Sequence, residues 1–188
     1  MQESQFSLSD FDFFPNETSL SNASEKAFSR LSFTFTHEHL SSIIKAALSP
    51  QASDNDRYVL SCMLKNAEVA SKGLYPLCQD TGIANVFGWK KGKVSFEGDE
   101  YEELTKGVKK VYDEKKLRFS TTVPTSFYEE KDPKNNLPAQ ISIFSDKSCL
   151  APAPSFVKDA PEDSLSFIFC AKGGGSSNKT SFIQGTKA

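Results

Sequence analysis

The chain has 188 residues, 38% of them hydrophobic, and its 22 basic and 24 acidic side chains give a formal charge of −2. That length supports one domain with a real hydrophobic core. The near-balance of charge argues against a general electrostatic grip on nucleic acid, and no apolar run reaches the length of a membrane-spanning helix.

Residues 1–30 are rich in Ser, Asn and acidic side chains, with isolated Phe6, Phe11, Phe13 and Phe14 and no steady period. They read as a poorly ordered tail, or a segment draped over a larger surface, ahead of one domain over 31–188. Glu3, Asp10 and Asp12 come early and no basic stretch precedes an apolar one, so neither a secretory signal nor an acid-poor transit peptide is expected. The cytoplasm is the expected compartment.

From Thr36 the pattern turns helical. Leu40, Ile43, Ile44 and Ala47 recur on one face, with Pro50 beyond the end. A second helix is predicted from Asp54, with Val59, Leu60, Met63, Leu64 and Ala67 as its apolar face and Gly73 as its stop. Ile83–Trp89 and Lys93–Phe96 read as two strands of a hairpin turning at Lys90-Lys91-Gly92. A third helix is expected over 99–115, with Tyr101, Leu104, Val108, Val111 and Tyr112 on one side. Pro124, Pro133 and Pro138 mark a long irregular connection. Gln140–Ser145 and Ser164–Ala171 read as core strands, separated by a surface loop carrying Pro152, Pro154 and Pro161. The expected fold class is α/β or α+β, a mixed sheet with flanking helices.

Two segments are dense in chemistry. Leu77-Cys78-Gln79-Asp80-Thr81-Gly82 puts a thiol beside an amide, a carboxylate and a hydroxyl, which suits a metal and a polar substrate better than a core strand. Ala171-Lys172-Gly173-Gly174-Gly175-Ser176-Ser177-Asn178-Lys179-Thr180 follows an apolar strand. Its glycines let the backbone turn and present N–H groups, and Ser176, Ser177, Asn178, Lys179 and Thr180 add donors and charge suited to carboxylate or phosphate. A nucleotide P-loop nearly fits from Gly173 to Thr180, but Asn178 replaces the second glycine. A flexible linker is the plainer alternative.

Single residues are weaker signals. Arg118 offers a fork that matches a carboxylate, although such a residue alone is more often a surface ion-pair residue. His37 and His39 are expected at a helix start, capping or facing solvent. The four cysteines lack a C-x-x-C pair, so disulfides and a closed zinc site are not expected. Cys62 is expected to pack on its helix face, Cys149 and Cys170 to be loop and strand residues, and Cys78 alone reads as a buried thiol.

Taken together, four segments in order resemble the class I, iron–sulfur-dependent fumarate hydratases. They are Leu77–Gly82, Leu117-Arg118-Phe119-Ser120, Asn136-Leu137-Pro138-Ala139-Gln140-Ile141 and Ala171–Thr180. The resemblance covers roughly residues 35–188. Tartrate dehydratase α subunits share the Cys-Gln-Asp-Thr-Gly and Lys-Gly-Gly-Gly-Ser elements, but the other two segments are closer to the fumarases.

The resemblance implies a 4Fe–4S cluster held by three cysteines with one open iron, Cys78 being the first ligand. It makes Asp80 the catalytic residue. Gln79, Asp80, Arg118 and the Gly173–Thr180 loop would bind the malate or fumarate dicarboxylate. Intact members are dimers. The family's other two cluster ligands and its C-terminal catalytic domain fall beyond Ala188, so this chain alone is expected to be inactive without a complementing C-terminal polypeptide. A non-catalytic dicarboxylate-binding or interaction module, and a tartrate dehydratase-type subunit, are the alternatives.

Overall fold

The computed structural model of the protein describes residues 19–173 and residue 185. Along these residues run α1 (Leu20–Phe33), α2 (His37–Ala47), α3 (Asp54–Ala70), β1 (Ile83–Lys90), α4 (Glu100–Glu114), β2 (Val123–Pro124), β3 (Glu130–Lys131), β4 (Gln140–Ser145), α5 (Ser155–Lys158) and β5 (Leu165–Lys172). The mixed sheet with helices is the α/β arrangement expected. Strand β1 lies in the middle of the order β4-β1-β5, parallel to β4 and antiparallel to β5.

Alternation along β1 sends Ala84 and Val86 toward α1 and α4, where both are buried, while Phe87 points to the opposite face and remains 43% exposed. Helix α4 starts at an Asp99 cap whose Oδ1 accepts the Glu102 N–H at 2.9 Å. Glu100, Glu102 and Glu103 then place negative charge at the positive end of the helix dipole. Leu104, Val108, Val111 and Tyr112 form its buried stripe, packed with Phe28 and Phe33 of α1 over the sheet. No helix among the described residues is long and apolar enough to cross a membrane.

Three expectations are corrected. Residues 20–30, read as part of an irregular tail, form most of α1. The missing period has a cause: α1 meets α4 through small residues. A Cβ on Gly107 would overlap the Ser21 carbonyl and sit 2.7 Å from the Ser24 Cβ. Ser24, fully buried, donates its hydroxyl to the Leu104 carbonyl at 2.7 Å. At this crossing the contact leaves room only for small side chains, so the apolar face of α1 is interrupted between Leu20 and Phe28.

The hairpin at Lys90-Lys91-Gly92 does not form, and 93–96 is not a strand. Gly92 does turn (φ +68°), yet the chain beyond it docks on the start of β5: Lys91 N–H donates to the Ser164 carbonyl and Lys93 N–H to Asp163 Oδ1 at 2.7 Å. The longer, more apolar β5 takes the ladder position along all eight residues of β1.

The predicted apolar face of α3 is largely open. Val59 is 46% exposed and Met63 37%, and the buried residues of α3 are Ala67 and Ala70. Cys62, expected to pack, is exposed. Helices α2 and α3 are fastened mainly to each other, through Arg57, whose guanidinium donates to the carbonyls of Ala47, Ser49 and Ala52 at 3.1 Å.

Substituting Gly107→Ala tests the close contact. In an exposed helix this change gains about 1 kcal/mol. Here the methyl must push two backbones apart, and a net loss of about 1–3 kcal/mol is expected from the urea unfolding midpoint.

Candidate active site

The Cys78–Gly82 loop joins α3 to β1 and is anchored at its start. Leu77 N–H donates to the Ser32 carbonyl at 2.9 Å, and Asn66 Nδ2 donates to the Leu77 carbonyl at 2.8 Å. Beyond this anchor Cys78 and Gln79 are exposed, which corrects the buried-thiol reading of Cys78. The Asp80 N–H points at Cys78 Sγ across 3.4 Å. Burial resumes at Thr81 and Gly82. Below them Tyr112 of α4 donates its phenol to the Gly82 carbonyl at 2.6 Å. Burial holds the Tyr112 pKa above its ordinary value of 10.0, against the lowering effect of its hydrogen-bonding neighbours Asn136 and Thr81.

Arg118 arrives next to this loop through its backbone. Thr81 Oγ1 donates to the Arg118 carbonyl at 2.6 Å, and Asn136 Nδ2 donates to the same carbonyl at 2.9 Å. Residue 118 itself is exposed. Asn136 is 1% exposed and sits at φ 51°, a left-handed conformation that asparagine tolerates. Its Oδ1 accepts the Ser120 and Thr121 N–H groups at 2.7 and 3.2 Å.

The start of the glycine-rich segment closes on the same loop. Gly82 has φ +64°, and a Cβ there would overlap the Lys172 carbonyl. A Cβ on Gly173 would stand 2.7 Å from the Asp80 carbonyl oxygen and 2.9 Å from its carboxyl carbon. Both glycines are required by backbone approach. Four separate segments thus converge: 78–82, 118–121, 136 and 172–173.

Of the residues singled out from sequence, Cys78, Gln79, Asp80, Arg118 and Gly173 fall on these converging segments. Ser176, Ser177, Asn178, Lys179 and Thr180 lie outside the described residues. His37 and His39 are exposed on the first turn of α2, where Thr36 Oγ1 caps the His39 N–H. Cys78, Cys62, Cys149 and Cys170 are all free and exposed. Among the described residues no three His, Cys, Asp or Glu side chains gather as a metal site. Asn136, Tyr112 and the hydroxyl of Thr81 were missed as site-building groups. The signal available for Asn136 was its place between another asparagine and Leu-Pro, where a left-handed turn residue is common.

The family model described as Fumarate hydratase (Fumerase) matches residues 21–186. The chain belongs to the fumarate hydratase family. It is 38% identical over 165 residues to Fumarate hydratase 1, mitochondrial, of Leishmania major, covering 88% of this chain and 28% of that protein. Against Fumarate hydratase class I, anaerobic, of Escherichia coli K12 it is 38% identical over 164 residues, 87% of this chain and 27% of the relative. The aerobic class I fumarate hydratase of the same strain is 37% identical over 163 residues, with the same shares. The chain therefore spans about a quarter of the length of these curated relatives.

Tyr112→Phe removes the hydrogen bond under Gly82, and a loss of about 1 kcal/mol is expected at neutral pH. Because the folded pKa is raised, the stability contributed by the neutral phenol is complete below about pH 10 and disappears as pH rises through the folded value. Urea titrations from about pH 9 to 11 should show a steeper alkaline loss in the unsubstituted protein than in Tyr112→Phe.

Proposed function

We propose that this chain forms the N-terminal wall of a fumarate hydratase active site, interconverting (S)-malate and fumarate plus water. The observation that carries the reading is the convergence of Cys78-Gln79-Asp80, Arg118 and Gly173 on one loop from positions far apart in sequence. Family membership over residues 21–186 supports the same reaction.

Dehydrating malate requires a proton to leave a weakly acidic carbon while hydroxide, a poor leaving group, departs. Arg118 would pair with a substrate carboxylate through its guanidinium and balance the charge that builds there. Gln79 would orient the dicarboxylate by its amide. Asp80, lying against Gly173 at the loop rim, would hold or exchange a proton at the substrate hydroxyl. The Gly173–Thr180 segment would wrap the ligand with N–H, hydroxyl and ammonium donors.

The sequence resemblance implies a 4Fe–4S cluster. Cys78 fits one ligand position, since its thiol is exposed and stands on a loop built from polar neighbours. The described residues do not gather a full set, so the further thiolates would come from outside them. When bound, such a cluster supplies a Lewis-acidic iron for the hydroxyl. The remainder of the site would come from a complementing C-terminal part, and the assembly would be a homodimer of the intact enzyme or a complex with a separate C-terminal polypeptide.

The test is complementation under anaerobic conditions: the chain with iron, sulfide and a polypeptide carrying the remainder of a family member, assayed for fumarate hydration. Activity requiring both parts is expected. Malate binding without turnover in any combination would instead mark a dicarboxylate-binding module, and preference for tartrate a tartrate dehydratase-type subunit. In the active assembly, Asp80→Asn should lower kcat about 10²–10⁴-fold, the range of a lost proton-transfer group. Arg118→Lys, which keeps the charge but loses the fork, should act mainly by raising the malate KM.

A further inference from the structure

Asn136 has no role in the chemistry proposed above, yet every polar atom of its side chain is committed. Nδ2 donates to the Arg118 carbonyl at 2.9 Å and to Thr81 Oγ1 at 3.3 Å. Oδ1 accepts from Ser120 N–H, Thr121 N–H and Thr121 Oγ1, the last at 3.1 Å. The amide is therefore held in one orientation, because a flip would set its oxygen against the Arg118 carbonyl. Thr81 Oγ1 accepts from Asn136 and donates to Arg118, so its proton is fixed as well.

This arrangement ties two roots together. Thr81 adjoins Asp80, and the Arg118 carbonyl belongs to the residue whose guanidinium would meet the substrate. We propose that Asn136 is a positioning residue that sets the spacing and relative orientation of the Cys78–Asp80 loop and Arg118, and through them substrate binding. It deepens the fumarate hydratase reading and rests on it for the kinetic consequence, but the coupling of loop to arginine stands on geometry alone. A buried asparagine that only fastened its own segment to residues 118–121 would need the contacts to Arg118, Ser120 and Thr121 alone; the donation to Thr81 is what reaches the Cys78–Gly82 loop.

Asn136→Asp separates these roles. Aspartate tolerates the same left-handed backbone and keeps the Oδ1 acceptor, but it loses both donations and sets a carboxylate oxygen against the Arg118 carbonyl. The readout in the 188-residue chain is alkylation by iodoacetamide, followed cysteine by cysteine, with exposed Cys62 on α3 as internal reference. Cys78 is already exposed, so no opening is needed: loosening the loop should break the Asp80 N–H contact to Cys78 Sγ and change the Cys78 rate relative to Cys62 by about fivefold, the equivalent of roughly 1 kcal/mol. An unchanged ratio, or four thiols accelerating together, would overturn the proposal in favour of a purely structural role.

Thr81→Val, which deletes the bridging hydroxyl and leaves Asn136 in place, should move the ratio the same way by less. If both variants fail to fold, Asn136 is a determinant of the fold and the proposal is rejected. In the complemented enzyme, Asn136→Asp should raise the malate KM about tenfold or more with a smaller change in kcat, as expected for misplaced substrate binding. A fall in kcat at constant KM would contradict it. An inactive unsubstituted assembly would count against the hydratase reading alone, since the labelling ratio remains readable.

Discussion

The close approach of Gly82 to the Lys172 carbonyl is the constraint on which the site depends. Two backbones can lie this near only where one residue lacks a Cβ and accepts a positive φ. The contact falls at the end of the β1–β5 ladder, whose register pairs Ile83 with Lys172. A shift of one residue would turn the strand faces over and move the Gly173 segment off Asp80. The sheet register and the site geometry are thus one specification.

Beneath the loop the chemistry changes from charged to neutral. Tyr112, Thr81 and Asn136 meet the carbonyls of residues 81, 82 and 118 with uncharged donors. A buried carbonyl left without a donor costs about 1–3 kcal/mol, so such a layer holds a loop firmly. No buried charge is needed. Charged groups stand outward instead: Asp80 at the rim, and Arg118, whose guanidinium makes no ion pair among the described residues. An electrically neutral support under a charged rim lets the rim's field be directed at a ligand.

Much of this was legible in sequence, and the misses have physical reasons. Helix α4 was legible because Asp99 caps it and Leu104, Val108 and Val111 repeat at helical spacing. Helix α1 was not, because small residues at the Ser24–Gly107 contact interrupt its apolar face between Leu20 and Phe28. A local turn signal at Gly92 was real, but the strand pairing was decided by β5, more than 70 residues away, which local pattern cannot report. The motifs around Cys78, Arg118 and Gly173 were visible as unusual residue mixtures. Asn136 was not visible as a site-builder, since a hydrogen-bonding hub has no periodicity and its partners are distant in sequence. Burial was overestimated on α3, where Val59 and Met63 are exposed and Leu60 and Leu64 only half-buried.

The strand order carries a consequence for synthesis. Both neighbours of β1 come later in the chain, β4 from residue 140 and β5 from residue 165. On a ribosome adding about 5–20 residues each second, the Cys78 thiol emerges on the order of ten seconds before Lys172 can reach Gly82. During that interval the nascent chain has the Cys78 sulfur without the backbone that frames it. The loop therefore takes its final shape only after β5 has paired with β1, so the frame around Cys78 is among the last parts of the described fold to be completed.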